Sequence, residues 1–309
     1  MFKNKIVMKK LFLFGLMGLV GLMGNMAQGQ LLYKISGNGL KAPSYVIGTY
    51  HLAPVSFVDS IPGLHEALKY CDQVYGEVNM AEEMSPENIE KMQNAQMLPE
   101  GTTFQSLFDE EQMKRINALM REVMGVDFTN TLVAKQMERV SPAAMTATLT
   151  VLVCMKKTPG FDPKNLFDNY FQTVALEDGK SVKGFETADF QMDVLYGAPI
   201  EKQVSDMMCY VDHFEEAMKQ VDDILNAFFS QNFELMSQVF DEEEQGPCDG
   251  DPEDYARLLD NRNADWLKQM PKIMQEMPTF FAVGAGHLIG EKGLIAQLRG
   301  MGYTVEGVK

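Results

Sequence analysis

The chain has 309 residues, 46% of them hydrophobic, with 27 Lys and Arg against 43 Asp and Glu and a formal charge of −16. That length supports one large core or two small ones. The acidic balance argues against a nucleic-acid partner, whose phosphates such a surface would repel.

Lys3, Lys5, Lys9 and Lys10 precede a charge-free apolar run from Leu11 to Met23. Small residues at Ala27 and Gly29 follow at the spacing a signal peptidase reads. Residues 1–29 are expected to be a signal peptide cut after Gly29, with cleavage after Ala27 the alternative and Met8 a second possible start. A membrane anchor is the competing reading, but the run falls short of the roughly 20 residues that span a bilayer. No Cys follows it, so a lipidated N-terminus is not expected. Loss of the four leader lysines takes the charge from −16 to −20. The mature chain, residues 30–309, is expected to be a single domain, exported to the periplasm or beyond the cell, with no stable membrane span.

In chain order, Leu31 to Ile35 and Ser44 to Ile47 read as strands about a turn at Gly37-Asn38-Gly39. A short helix is expected from Pro62 to Tyr70 and a strand from Gln73 to Val78. A helical middle runs from about Ser85 to Lys157, with starts at Ser85-Pro86 and at Asp109-Glu110-Glu111. Within it Met113, Ile116, Leu119 and Met120 recur at helical spacing, as core residues do. Asp162-Pro163 opens another helix through Phe171 and Ala175, and Ser181 to Phe185 is a strand. Two helices fill Phe190 to Phe240, and one spans Tyr255 to Met270. A strand at Thr279 to Val283, a helix at Glu291 to Leu298 and a strand at Tyr303 to Val308 close the chain. Strands alternating with helices at both ends predict an α/β fold. Its sheet should be mixed and partly parallel, built from two strand-GxxH-helix-strand units. The helical insertion, about 85–160 and 190–275, should cover one side of it.

Four cysteines, Cys71, Cys154, Cys209 and Cys248, permit two disulfides in an exported chain, with three connectivities. Cys248 is within reach of Cys209, and Cys154 in its apolar run suits a buried thiol. The 24 methionines sit mostly among Leu and Ala and read as packing rather than copper ligands. Asp249-Gly250-Asp251 imitates a calcium loop, but the twelve-residue register with its terminal Glu is missing, so Asp241 to Asp254 reads as a solvated acidic loop.

The chemistry lies at the strand ends. Val46-Ile47 runs into Gly48-Thr49-Tyr50-His51, and Phe281-Ala282-Val283 into Gly284-Ala285-Gly286-His287. Both are a strand followed by G-x-x-H, an internal repeat at opposite ends of the chain. The glycine is expected to permit a sharp exit from the strand, at φ values other residues avoid. Each histidine then projects at the sheet's carboxyl edge, where open α/β sheets hold their ligands. Two further strands lead to Glu77 and Glu186. His51, His287, Glu77 and Glu186 together make a first shell for a divalent ion such as manganese, cobalt, zinc or iron. Alternatively one of Glu77 and Glu186 binds the ion and the other is the general base. Taken singly, a strand-end Glu is usually structural and a lone His a hydrogen-bonded core group; the repeat is what raises these above that reading. His65 and His213 lack the context: His65 begins H-E-A-L-K, not a zinc-binding H-E-x-x-H. Gly284-x-Gly286-x-x-x-Gly290 imitates a dinucleotide fingerprint, but no further half-domain follows it.

At these residues the chain resembles the TraB/PrgY/GumN family, to which the Tiki Wnt-inactivating proteases are distantly related. The resemblance rests on Val46 to Leu52, on Leu64 through Gly76-Glu77, and on Lys180 to Thr187 with Gln191. It continues at Arg262-Asn263, at Val283 to Gly290, and at Gly302-Tyr303 with Val305. For the Tiki branch it implies a metal-dependent peptidase that requires the two G-x-x-H histidines and a glutamate, here His51, His287 and Glu77. Glu186 and Arg262 match further family motifs. Arg262 is a candidate to grip a substrate carboxylate, with a structural ion pair the alternative. The expectation is a metal-dependent hydrolase acting on a peptide or another small exported substrate. The alternative is a non-catalytic binding protein that sequesters a peptide or a metal ion.

Overall fold

The structure, a computed structural model, describes residues 30–243, 248 and 252–309. The expected signal peptide and the calcium-like Asp249-Gly250-Asp251 lie outside the described residues. No helix among them is long and apolar enough to cross a membrane.

Six strands form one sheet: β1 (Leu32–Gly37), β2 (Ser44–Thr49), β3 (Gln73–Gly76), β4 (Ser181–Gly184), β5 (Thr279–Gly284) and β6 (Tyr303–Gly307). Their order is β4-β3-β5-β2-β1-β6. The pairs β4–β3, β3–β5 and β5–β2 are parallel, while β1 is antiparallel to both β2 and β6. The sheet is thus mixed and partly parallel, as the alternation predicted. The two G-x-x-H units interlock, because β5 lies between β2 and β3, the two strands of the first unit. The β1–β2 connection turns at Gly37, Asn38 and Gly39, all with positive φ, which two glycines and an asparagine tolerate.

Side chains alternate across the sheet. Ile47, Val74, Phe280 and Ala282 face one core, and Val46, Tyr75, Phe281 and Val283 face the other. The first core takes residues of the helices Leu64–Tyr70, Phe167–Glu177 and Phe214–Phe229; the second takes those of Asn261–Glu276 and Leu294–Gly300. The first part of the helical insertion, about 85–160, covers neither sheet face, whereas the second part covers both, one through Phe214–Phe229 and the other through Asn261–Glu276. Ile116, Leu119, Met120, Met145, Leu149 and Met207 form a third cluster that contains no sheet residue. Its helices are amphipathic toward one another because both faces of the sheet are already covered.

Three local expectations are corrected. The helix expected from Asp162 begins at Phe167, because the Asp162 carboxylate accepts from Lys164 N–H and Asn165 Nδ2 and closes its own turn. The stretch from Phe190 to Phe240 holds four helices rather than two: Ala188–Tyr196, Ile200–Asp212, Phe214–Phe229 and Phe233–Glu243. Gly197 and Pro199 separate the first pair, and Gln231, at φ +53°, the last. The helix expected over Tyr255–Met270 carries a π-turn, Ala256–Asp260, ahead of Asn261–Glu276. Cys209 and Cys248 form a disulfide, while Cys71 and Cys154 are free and buried.

Candidate functional site

The carboxyl ends of β2, β3, β4 and β5 meet at one edge, and each delivers a polar side chain. Glu77 directly follows β3, Glu186 lies just beyond β4, and His51 and His287 follow β2 and β5. The glycines of the two G-x-x-H motifs act by close approach, not by the unusual φ expected of them. Neither Gly48 nor Gly284 has a positive φ. A Cβ on Gly48 would lie 2.9 Å from Ala285 Cα, inside the other motif, and one on Gly284 would lie 3.2 Å from Glu77 Oε1. Small residues let the two loops and the carboxylate touch.

Arg262 is the hub. Its Nε and Nη2 donate to the two oxygens of Glu186, both at 2.8 Å; Nη2 also donates to Glu77 Oε2 at 2.7 Å, and Nη1 to the Leu258 carbonyl at 3.1 Å. That carbonyl is supplied by the π-turn. Each nitrogen of the buried guanidinium therefore has a partner inside the protein. Gln191 Nε2 joins Glu77 and Glu186 at 3.1 and 3.3 Å, and Trp266 Nε1 donates to Glu186 at 2.8 Å. Both oxygens of Glu186 thus accept two hydrogen bonds, which fills them. Glu77 Oε2 is likewise filled, but among the described residues Oε1 accepts only from Gly284 N–H, at 2.8 Å, and keeps one position open.

That open position faces His287 Nε2 at 3.7 Å. His287 has a side-chain exposure of 4% and lies against the Trp266 ring, centroids 4.3 Å apart. Its Nδ1 meets Asn263 Oδ1 at 2.8 Å, and Asn263 Nδ2 donates to the carbonyls of His287 and Lys292. The two donor bonds fix the amide's orientation, so Asn263 presents its oxygen and His287 Nδ1 carries the proton. Nε2 is then a lone pair. Burial pushes the His287 pKa down to about 4, so the ring is neutral near pH 7. Burial alone would raise Glu77, but His287, Arg262, His51 and the Gly284 amide outweigh it and hold the carboxyl at about 2. Arg262 and the amide act at every pH, whereas His287 contributes only when protonated. Two acceptors therefore face each other.

His51 stands at the mouth, 69% exposed, and lines a cavity of about 210 Å³ with Glu77, Asp168, Gln172 and Gln191. Its Nδ1 lies 2.7 Å from Asp168 Oδ2, and Thr49 Oγ1 donates to Asp168 Oδ1. A carboxylate only accepts, so Nδ1 carries a proton; near pH 7 the charged ring holds a second proton on Nε2, which opens only when that proton leaves. The Asp168 charge raises the His51 pKa to about 9.

Glu77, Glu186, Arg262 and His287 are thus brought into one contact network, with His51 across the cavity. His65 meets only Asp59 at the surface, and His213 sits at a helix junction. Sequence reading missed Asp168, Thr49 and Gln172. Thr49 was inside the first motif, but Asp168 carried no signal: one more acidic residue near a helix start resembles any other.

A partly parallel α/β sheet that gathers two histidines and two glutamates around a buried arginine at its carboxyl edge defines the class of protein. The sequence profile of the TraB/PrgY/gumN family matches residues 31–307, and the chain belongs to that family. No curated protein and no solved structure gives a match.

The donor set suits a divalent ion in its chemistry but not in its spacing. Among the described residues no group of three or more His, Cys, Asp and Glu side chains stands close enough together to hold one. What fits is the chemistry. Each imidazole has Nδ1 anchored by an oxygen and Nε2 turned away from it, the pattern of metal-binding histidines; His51 must lose a proton to offer its lone pair, whereas the buried Nε2 of His287 is already free and shares its open side with an ionised carboxylate.

Proposed function

We propose that the protein is a metal-dependent hydrolase, with a peptide or another small exported molecule as substrate. The observation that carries this reading is the pair of lone pairs, His287 Nε2 and Glu77 Oε1, facing each other at 3.7 Å inside the protein. A cation between them would satisfy both, and a carboxylate with imidazole nitrogens suits manganese, cobalt, zinc or iron.

In this reading His287 and Glu77 would hold the ion as they stand, and His51, across the cavity, would join them by moving toward it. When bound, it supplies Lewis acidity toward a water and an amide carbonyl. Asn263 keeps His287 in the tautomer that leaves Nε2 free, and Asp168 holds Nδ1 of His51 so that Nε2 is the nitrogen an ion would take on displacing its proton. Arg262 and Gln191 hold Glu77 in place, and Arg262 serves Glu77 rather than a substrate carboxylate. Glu186, filled by Arg262, Trp266 and Gln191, anchors the guanidinium. Asp168, the other carboxylate lining the cavity, is assigned to proton transfer in place of Glu186. The Cys209–Cys248 disulfide supports export to an oxidising compartment.

The test is elemental analysis of the purified wild type beside His51→Ala and His287→Ala, followed by exposure of the loaded protein to a peptide library. Stoichiometric divalent metal in the wild type and its loss in both variants is expected. Metal uptake that survives both changes defeats the reading. Metal bound with every peptide left uncut favours a protein that sequesters its ligand.

A further inference from the structure

The helix Phe167–Glu177 separates two cavities. Asp168 and Gln172, one turn apart, line the cavity that holds His51 and Glu77. Asn169 and Thr173, the next pair round the helix, line a second cavity of about 360 Å³. Residues four apart share a helix face, and the following pair is turned by about 100°. Leu166, at the helix N-cap, belongs to the walls of both cavities. The far wall of the second is Val55 and Ser56, on the segment that leaves His51. The two spaces therefore adjoin around one leucine.

Their chemistry differs. The first, at about 210 Å³, is smaller than the roughly 300–1,000 Å³ of ordinary ligand sites, so a substrate held there must extend beyond it. The second is part apolar and part polar, and nearly uncharged. Ser56, Asn165, Asn169, Tyr170 and Thr173 each offer both a donor and an acceptor. No lysine or arginine lines it, and its one carboxylate, Asp162, is engaged by Lys164 N–H and the Asn165 amide. A wall of paired donors and acceptors complements a ligand with the same alternation and no net charge. The extended main chain of a peptide has that pattern, one N–H and one C=O per residue.

We infer that the second cavity is a subsite for the main chain of a peptide whose reacting amide lies beside His51 and Glu77, with Leu166 the ridge it crosses. The inference rests on the hydrolase reading for the position of the amide, and is tested separately from it. Metal-loaded full-length protein is given acetylated and amidated Ala/Ser peptides, from dipeptide to octapeptide. Binding is measured by saturation-transfer NMR and cleavage by mass spectrometry, for the wild type, Ser56→Trp and Thr173→Trp. Both substituted positions are exposed and stand on different elements, and each indole would fill the cavity.

Wild-type affinity should rise about tenfold with length, and both tryptophan variants should lose that rise while binding dipeptides as before. A rise that survives both substitutions, or the failure of every peptide to bind, overturns the subsite. Length-dependent binding that the tryptophans remove, without any cleavage, keeps the subsite and removes the hydrolase. Cleavage without length dependence does the reverse.

Discussion

Glu77 Oε1 and His287 Nε2 stand 3.7 Å apart within the protein, one ionised and the other a neutral lone pair. The arrangement has a signature in acid. His287 has a folded pKa of about 4, below its ordinary 6.5, so between those values the unfolded chain binds the extra proton. Stability of metal-free protein should therefore fall as pH drops from 6.5 to 4, by about 3 kcal/mol in all. Glu77, also depressed, contributes stability that is present above its ordinary 4.5 and lost as pH falls toward about 2, a lower window. His51, raised from 6.5 to about 9, contributes stability that is full below 6.5 and lost as pH rises to about 9. Urea unfolding across this pH range should show the slope, and His287→Gln should flatten it. An unchanged slope in the variant places the titration elsewhere.

Asn263 decides which nitrogen of His287 is open. Removing its amide with Asn263→Ala frees the ring to protonate Nε2 instead. Metal affinity should then fall about 10- to 100-fold, as for other residues that orient a ligand. Competition against a chromophoric chelator reads the change. Equal affinity in wild type and variant means that the ring needs no help from Asn263.

Arg262 is predicted to matter to the fold before it matters to any ligand. Arg262→Met would leave Glu77 and Glu186 side by side without a counter-charge. Removing one partner from a buried ion pair costs about 3–5 kcal/mol. Arg262→Lys should rescue little, since an ammonium cannot reproduce the fork that meets both carboxylates. Thermal melting decides: near-wild-type melting of either variant would restore the reading of Arg262 as a substrate-carboxylate grip.

Asp168 should be visible by NMR. With Asp168→Asn the charge that lifts His51 to about 9 disappears, and the imidazole pKa should drop toward 6.5. Proton–nitrogen correlation spectra of His51 report both the pKa and the tautomer. A His51 that still titrates near 9 would show that Asp168 is not its partner in solution.

Asp168 also marks the limit of what residues alone reveal. The two histidines and Glu77 were legible because a repeated G-x-x-H follows a strand each time, and strand ends in a parallel sheet share one edge. The parallel core was legible for the same reason, since alternation of strand and helix admits few arrangements. Asp168 and Gln172 reach the site from a helix of the intervening segment, and nothing local to Phe167–Glu177 points across 117 residues to His51. The π-turn was equally hidden, because its purpose, a carbonyl for Arg262, exists only after folding. The engagement of all three Arg262 nitrogens is likewise a property of the assembled site: pairing motifs does not count hydrogen bonds.

The glycines give the last prediction, because geometry assigns them different jobs. A methyl group on Gly48 would meet Ala285 Cα at 2.9 Å, inside the opposite motif, and Leu288 Cδ1 at 3.0 Å, just past it. Backbone cannot yield as a side-chain tip can, so Gly48→Ala should force the loops apart and cost about 1–3 kcal/mol, as overpacking does. On Gly284 the same methyl meets Glu77 Oε1 at 3.2 Å and His287 Cδ2 at 3.6 Å. Those contacts can give by a few tenths of an ångström, so Gly284→Ala should melt close to the wild type. It presses on the one oxygen of Glu77 with an open position, however, and should weaken metal binding more than Gly48→Ala does for each degree of lost melting temperature. Calorimetry and metal titration on the two variants separate the effects. If both lose stability and affinity in the same proportion, Gly284 is only packing, and Glu77 Oε1 has no special part in the site.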